Sequence, residues 1–367
     1  MSQSSTSGTK DTGKNNSTVL KQAMSRYKRK AGEEPLSSWD EWIDPNRPEF
    51  FDCLRRVSVP KVLDEANNSI HYYRGPLFTL DARPGFYIAP QALSSDLQTA
   101  LAYASLTEYC LPPHKTNIDA VPIKPHEQEN VPHETFWYLW KEKYHQQHHL
   151  PPKYRSFKKL SWSVMGYHYD WTQRKYHPDA YSSVPASLQR IGSLFARTAL
   201  LLEQDNSDRH FLSAVPPSYR ASASIVNYYH NKSVMGAHQD DLEYDMTKPI
   251  VSLCLGHRPC VFVLGGDSQN DPNIFPLVLR PGDVVIMSGP CRLAYHAMAR
   301  LLPVQLPASP TVRVAKEEQV SRTADESLPP AHDVTALHDF LQEHRININL
   351  RQVYPDGRDP REALEQN

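Results

Sequence analysis

Ile250-Val251-Ser252-Leu253-Cys254-Leu255, Cys260-Val261-Phe262-Val263-Leu264, Phe275-Pro276-Leu277-Val278-Leu279 and Val284-Val285-Ile286-Met287-Ser288 decide the fold. These apolar runs follow one another closely, and each is closed by a turn built on Gly, Pro or Asp, such as Gly256-His257-Arg258-Pro259 or Arg280-Pro281-Gly282-Asp283. Runs this short do not make helices, which take about ten residues or more, whereas strands punctuated by turn residues fit them. The same texture reaches upstream to Ser224–Tyr229 and Trp162–Tyr169 and downstream to Ile346–Val353. Many short strands with turns between them predict a sandwich or barrel. The fold class is mainly β with flanking helices (α+β), around a jelly-roll core, that is, a double-stranded β-helix.

Helical signals surround this core. Ser94 or Ser95 caps a helix running to about Tyr109, Ile191–Leu202 has helical periodicity, and Asp333–Glu343 places Leu337, Phe340 and Leu341 on one face. Leu36–Arg56, punctuated by Trp and Pro, is read as a helix packed on the main domain. Another helix is expected to carry Phe136, Trp137 and Trp140 after a Pro- and His-rich loop at 111–133. Residues 1–35 are read as a disordered basic arm. Within it Val19–Lys30 has the makings of a short helix ending in Arg26, Lys28, Arg29 and Lys30, a nuclear import signal, part of a mitochondrial presequence or simply a solvated segment. The domain reading is then 36–160 as a helical extension and the start of the fold, and 161–355 as the jelly-roll core. A polar, Pro-bearing disordered insertion is placed near 305–332, and 356–367 form a tail.

Bulk composition removes several classes. Lys and Arg (40) balance Asp and Glu (41) in a chain of 367 residues, so no global field draws it to polyanions and any basic surface must be local. Five scattered cysteines without a CxxC pair exclude a disulfide framework and a zinc ribbon. Nothing approaches the roughly 18 consecutive apolar residues of a membrane span. The expected setting is intracellular, in nucleus or cytoplasm, with the mitochondrion open.

His238-Gln239-Asp240 puts two ligand-type side chains two residues apart, on one side of an extended strand. His296, after the strand Val284–Met287 and its turn, offers a third. Two His and one carboxylate on one face form the triad that leaves three positions open on Fe(II), enough for a two-oxygen co-substrate and O2. His-x-Asp alone is a common accident. Its weight comes from Arg345 and Arg351 on the last strand, whose even separation turns both guanidiniums to one face. Inside a barrel two such cations are costly unless an anion meets them, and a dicarboxylate such as 2-oxoglutarate suits them because Arg grips carboxylates bidentately. Outward, solvated arginines are the bland alternative. Asn227 and Tyr229, also two apart, supply neutral donors toward the same anion.

With these pieces in order the sequence resembles the AlkB family of Fe(II)- and 2-oxoglutarate-dependent dioxygenases. The resemblance is carried by Asn227-x-Tyr229, His238-x-Asp240, Pro249-Ile250-Val251-Ser252-Leu253-x-Leu255-Gly256, Phe262-x-x-Gly265-Gly266, Pro281-Gly282-Asp283-Val284-Val285-x-Met287-x-Gly289, Arg292-Leu293-x-Tyr295-His296 and Arg345-x-Asn347-x-x-x-Arg351. It spans roughly Arg83 to Val353. Gly166-Tyr167-His168-Tyr169-Asp170-Trp171, the Asn227-Tyr228-Tyr229 variant, the insertion between His296 and Arg345 and the basic N-terminal helix are most similar to the eukaryotic AlkB homologue one branch. The resemblance implies that His238, Asp240 and His296 hold iron. It implies that Arg345 and Tyr229 take the distal carboxylate of 2-oxoglutarate, with Asn227 and Arg351 near its keto-acid end. It further implies oxidative demethylation of N-methylated bases in tRNA and/or DNA, N-methyladenine favoured, releasing formaldehyde, succinate and CO2. One departure stands out: where the bacterial pattern has a second acid two residues past the aspartate, this chain has Leu242, preceded by Asp241.

A base in a duplex must be flipped out or already unpaired to reach a buried iron. Trp162, Tyr167, Tyr169, Trp171 and Tyr176 are candidates for holding it, although rings at period two also serve as core. Lys153, Arg155, Lys158 and Lys159 form the best local phosphate-binding patch. A protein or amino-acid hydroxylase on the same iron chemistry is the alternative, because the ligands make the oxidant and do not choose the substrate. A nucleic-acid-binding protein with a vestigial pocket conflicts with the intact ligands, and a zinc hydrolase would not need the arginine pair.

Overall fold

The computed structural model describes residues 17–28, 42–59, 73–118, 160–205, 218–304 and 314–356, together with the backbone of two short strands at 63–64 and 69–70. In chain order the elements are α1 (Val19–Tyr27), β1 (Leu54–Val57), β2 (Leu63–Asp64), β3 (Ser69–Ile70), β4 (Leu77–Leu80), β5 (Arg83–Ala89), α2 (Ser95–Thr107) and β6 (Lys115–Thr116). Then come β7 (Trp162–Asp170), β8 (Lys175–Ser182), α3 (Ala186–Asp205), β9 (Ala223–His230), β10 (Met235–His238), β11 (Ile250–Gly256) and β12 (Cys260–Leu264). The chain continues with β13 (Phe275–Leu279), β14 (Val284–Met287), β15 (His296–Leu301), α4 (Ala331–Glu343) and β16 (His344–Arg351). A large antiparallel sheet runs β1-β4-β5-β14-β11-β16-β9-β7-β6, with β8 added on β7, and a smaller one runs β10-β15-β12-β13. Their facing sides share one apolar cluster, in which Val285 and Met287 of the large sheet meet Leu264, Leu279 and Met298 of the small one. This is the expected jelly roll.

Strand alternation sets what each face does. On β16, Ile346, Ile348 and Leu350 are fully buried on the side covered by the helices, in the cluster that also holds Leu97, Leu101, Ile191, Phe195 and Phe340. Each such side chain contributes about 1.5–3 kcal/mol by leaving water. The intervening Arg345, Asn347, Asn349 and Arg351 face the interior between the sheets. The neighbouring β9 and β11 obey the same rule, with Val226, Tyr228, Val251 and Leu253 toward the helices and Asn227, Tyr229 and Ser252 inward. A polar row inside a jelly roll is costly unless something bonds to it.

Three sequence expectations need correction. Leu36–Arg56 is not a helix over its described part. Ile43 instead adds to the small sheet beside Leu277, Pro48–Phe50 is a single 3-10 turn, and β1 forms the edge of the large sheet. Pro45 and Pro48 each lack an N–H and cannot sit in a helix interior, and the Asp44 carboxylate is held by Arg280. The insertion is not disordered from 314 onward: Val320 is buried against Ala92 and Leu93, its N–H bonding the Ala92 carbonyl at 2.7 Å, and buried Glu326 pairs with Arg190 at 2.7 Å. Its polar composition concealed that its acid has a partner. Residues 305–313 lie outside the described residues, as do the expected helix at 136–140 and the basic patch at 153–159.

The N-terminal arm is the third: the short helix expected from Val19 is present as α1, but it packs on the small sheet and is not a disordered or solvated arm. Thr18 caps α1 by accepting from the Lys21 N–H at 3.3 Å, and Leu20 is fully buried with Trp42, Val261, Val263 and Ala299 on the outer side of the small sheet. The Leu20 N–H bonds the Gln269 carbonyl at 3.0 Å. Leu20→Ala is therefore expected to weaken docking of α1 by about 2–5 kcal/mol. Hydrogen exchange would show it as loss of protection in α1 with the large sheet unaffected.

Candidate active site

β10 and β15 are antiparallel neighbours in which His238 stands opposite His296, so pairing alone brings two imidazoles together across residues far apart in sequence. Their ring centroids are 4.3 Å apart. Asp240, just beyond β10, turns back so that its Oδ2 lies 3.7 Å from His296 Nε2. One ligand-type atom from each of the three side chains lies within 4.8 Å of the others, and among the described residues no other such triad gathers.

Local hydrogen bonds prepare both rings. His238 Nδ1 is 2.9 Å from the Gly236 carbonyl, and His296 Nδ1 is 3.0 Å from the Ala294 carbonyl. A carbonyl can only accept, so each Nδ1 carries the proton and each Nε2 keeps its lone pair for a metal. Burial and neighbouring His238 push the His296 imidazolium down to about 4, so the ring is neutral at physiological pH. Burial opposes the charged form of Asp240. The Arg351 guanidinium, then the two imidazoles and Arg292, overcome it and hold the carboxyl well below the usual range. Two neutral imidazoles and one carboxylate on a single side are the donor set that non-haem Fe(II) takes with positions to spare.

The arginines divide the polar row between two spaces that share His238 and Asp240. The inner one, about 590 Å³, is reached by Arg345, Tyr229, Ser252 and Asn347. Arg345 is 1% exposed, stands opposite Tyr229 in the strand register, and bonds the Arg258 carbonyl at 2.9 Å. Among the described residues it meets no carboxylate, although a buried cation is costly without an anion. The outer space, about 1140 Å³, is reached by Asn227, Asn349 and Arg351. Arg351 donates to Asp240 Oδ1 at 2.9 Å and to Glu243 Oε1 at 2.8 Å, while its buried Nε finds no acceptor among the described residues. A buried cation with no carboxylate in contact on one side of the triad and an unsatisfied donor on the other suit an acid with a carboxylate at each end. Both arginines are thus buried, and the solvated-pair alternative fails.

Sequence reading missed Glu243 and Arg292. Glu243 is fully enclosed and grips two guanidiniums, Arg351 through Oε1 and Arg292 through Oε2 at 2.7 Å. Arg292 also reaches the Asp240 and Lys248 carbonyls at 2.5 and 2.9 Å. The signal was present as an acid three residues past Asp240. Attention to the position two past it, occupied by half-buried Leu242, obscured it.

The five aromatic candidates separate. Tyr169, Trp171 and Tyr176 line the outer space, and Trp171 is 50% exposed at its mouth. Trp162 lies behind Trp171 with ring centroids 5.4 Å apart. Tyr167 does not line this space: it packs against Tyr181 and Tyr354, in the cluster that also holds Tyr169 and Tyr176. Tyr176 is 1% exposed, and its hydroxyl donates to Glu243 at 3.1 Å.

Comparison with known proteins agrees with this geometry. The chain matches the 2OG-Fe(II) oxygenase superfamily over residues 124–351, more than half its length. It is 31% identical over 298 residues to the DNA N(6)-methyladenine demethylase ALKBH1A of Arabidopsis thaliana, covering 76% of this chain and 78% of that one. Identity to the nucleic acid dioxygenase ALKBH1 of Homo sapiens is 30% over 294 residues, covering 78% and 69%. Identity to the tRNA demethylase abh1 of Schizosaccharomyces pombe is 27% over 351 residues, covering 92% and 96%. The chain belongs to the 2OG-Fe(II) oxygenase superfamily, on its AlkB homologue-one branch, and is an Fe(II)- and 2-oxoglutarate-dependent dioxygenase.

Proposed function

We propose that this dioxygenase demethylates N-methylated bases in tRNA and/or DNA, N-methyladenine favoured, releasing formaldehyde, succinate and CO2. The observation that carries the reading is the ring-lined outer space opening directly onto His238 and Asp240, in a chain whose relatives are named for nucleic-acid demethylation. His238, Asp240 and His296 hold the iron. Arg345 and Tyr229 take the distal carboxylate of 2-oxoglutarate, and Arg351 with Asn227 steadies the keto-acid end. Bound iron supplies the oxidant that hydroxylates an N-methyl group, and the hemiaminal then collapses to formaldehyde and the bare base. The chain's own task is placement: the aromatic wall holds an unpaired or flipped base edge-on to the triad, and the apolar inner wall keeps water from the keto acid.

The direct test incubates purified protein with Fe(II), 2-oxoglutarate and oligonucleotides carrying single methylated bases. Succinate, formaldehyde and loss of methyl mass should rise together and vanish in His238→Ala. Succinate without methyl loss from any nucleic acid, but with hydroxylation of a peptide, would overturn the substrate assignment. Trp171→Ala should raise the oligonucleotide KM about tenfold, because base stacking on such a ring is worth about 1–3 kcal/mol. Stability should stay within about 0.5 kcal/mol, the range for a surface change.

A further inference from the structure

Glu243 is not itself a candidate metal ligand, yet it sits at the meeting point of the charges around Asp240 and bonds Arg351 and Tyr176 of the proposed substrate sites. Its Oε1 accepts from Arg351 Nη1 at 2.8 Å and from the Tyr176 hydroxyl at 3.1 Å, and its Oε2 from Arg292 Nη2 at 2.7 Å. Both cations in turn hold Asp240, Arg351 by the side-chain Oδ1 at 2.9 Å and Arg292 by the backbone carbonyl at 2.5 Å. We propose that Glu243 is a positioning residue that sets how tightly the His238, Asp240 and His296 group binds its metal. This rests on the reading of that group as the metal centre.

Asp240 has two oxygens: one is bonded to a guanidinium and the other faces His296. A guanidinium on a ligating carboxylate competes with a divalent ion for the same charge and repels that ion besides. Glu243 accepts from Arg351 Nη1 and offsets its charge, leaving Asp240 free to donate through Oδ2. It also fixes the plane of the guanidinium, and with it the torsion of Asp240. Buried Arg–Glu–Arg groups are often merely structural. What separates this one is that a single guanidinium bridges Glu243 and the proposed ligand, as outer partners of metal ligands do.

The test uses Co(II) as a spectroscopic probe on the full chain. Glu243→Gln should weaken Co(II) binding about 10–100-fold, the usual cost of losing an outer partner. The visible ligand-field bands should shift as Asp240 reorients. Because this variant leaves buried Arg292 without its paired acid, Glu243→Gln combined with Arg292→Met provides the second reading. It removes one acid and one base, so folding stability should recover while Co(II) binding stays weak. Wild-type Co(II) affinity and bands in the double variant would overturn the proposal and leave Glu243 a purely structural ion. His238→Ala separates the two levels: if it too keeps wild-type Co(II) binding, the metal centre itself is misassigned, whereas loss there with no loss in the double variant refutes Glu243's role alone.

Discussion

Asp240→Asn is expected to give a folded protein with no turnover and no Co(II) bands. The substitution keeps the shape and removes the one anionic ligand among the three clustered side chains. A neutral amide binds a divalent ion far more weakly than a carboxylate. It also leaves Arg351 with Glu243 as its remaining acid. A fully stranded buried charge costs about 3–5 kcal/mol; with Glu243 still pairing Arg351, urea denaturation at pH 7 should report a smaller loss. The pH dependence has a definite sign. The folded carboxyl of Asp240 titrates well below the usual range, burial being outweighed by Arg351 and then the imidazoles. Its contribution to stability is therefore present at neutral pH and fades as pH falls from about 4. Wild type and Asp240→Asn should converge in stability under acid. Unimpaired succinate formation by Asp240→Asn would remove the triad from the mechanism.

Arg345→Met should split stability from co-substrate binding. Arg345 is enclosed between the sheets, donates to the Arg258 carbonyl, and has no carboxylate in contact among the described residues. An apolar side chain of similar length removes that buried charge, and replacements of buried charges are often neutral or stabilising by about 1–4 kcal/mol. The same change deletes the bidentate grip on a carboxylate, where charged hydrogen bonds contribute about 1.5–3 kcal/mol each. The KM for 2-oxoglutarate should rise about 100-fold or more, and the thermal upshift that 2-oxoglutarate gives wild type should disappear. A variant that melts no lower than wild type but no longer responds to 2-oxoglutarate is the expected result. Unchanged 2-oxoglutarate affinity would mean that this anion binds elsewhere.

The core was readable because strand period and turn residues are local signals. Each predicted run from Trp162 to Arg351 is a strand in the structure, and the even spacing of Arg345 and Arg351 correctly placed both on an inward face. The triad was readable through the ordered motifs and the AlkB resemblance they carry; the pairing that sets His238 opposite His296 was not. What escaped was non-local. Nothing near Glu243 in sequence announces Arg292 or Arg351, and nothing in the polar texture of 314–330 announces Arg190 or Leu93. Tyr167 and Tyr169 look equivalent by period and do pack in one cluster, but of the two it is Tyr169 that lines the outer space. The segment around Ile43 misled because two tryptophans suggested an amphipathic helix where prolines in fact force an extended path.

The docking of α1 bears on how the molecule would behave if shortened. Val261, Val263, Val278 and Ala299 are dry largely because Leu20 and Trp42 cover them. A chain clipped by a protease behind Lys28 would keep every candidate ligand and both pocket arginines, yet would bare part of an oily stripe on the outer side of the small sheet. Such stripes invite self-association. Clipped material should elute as oligomers on gel filtration before any loss of intrinsic chemistry, so preparations trimmed at this end would look inactive for a colloidal reason.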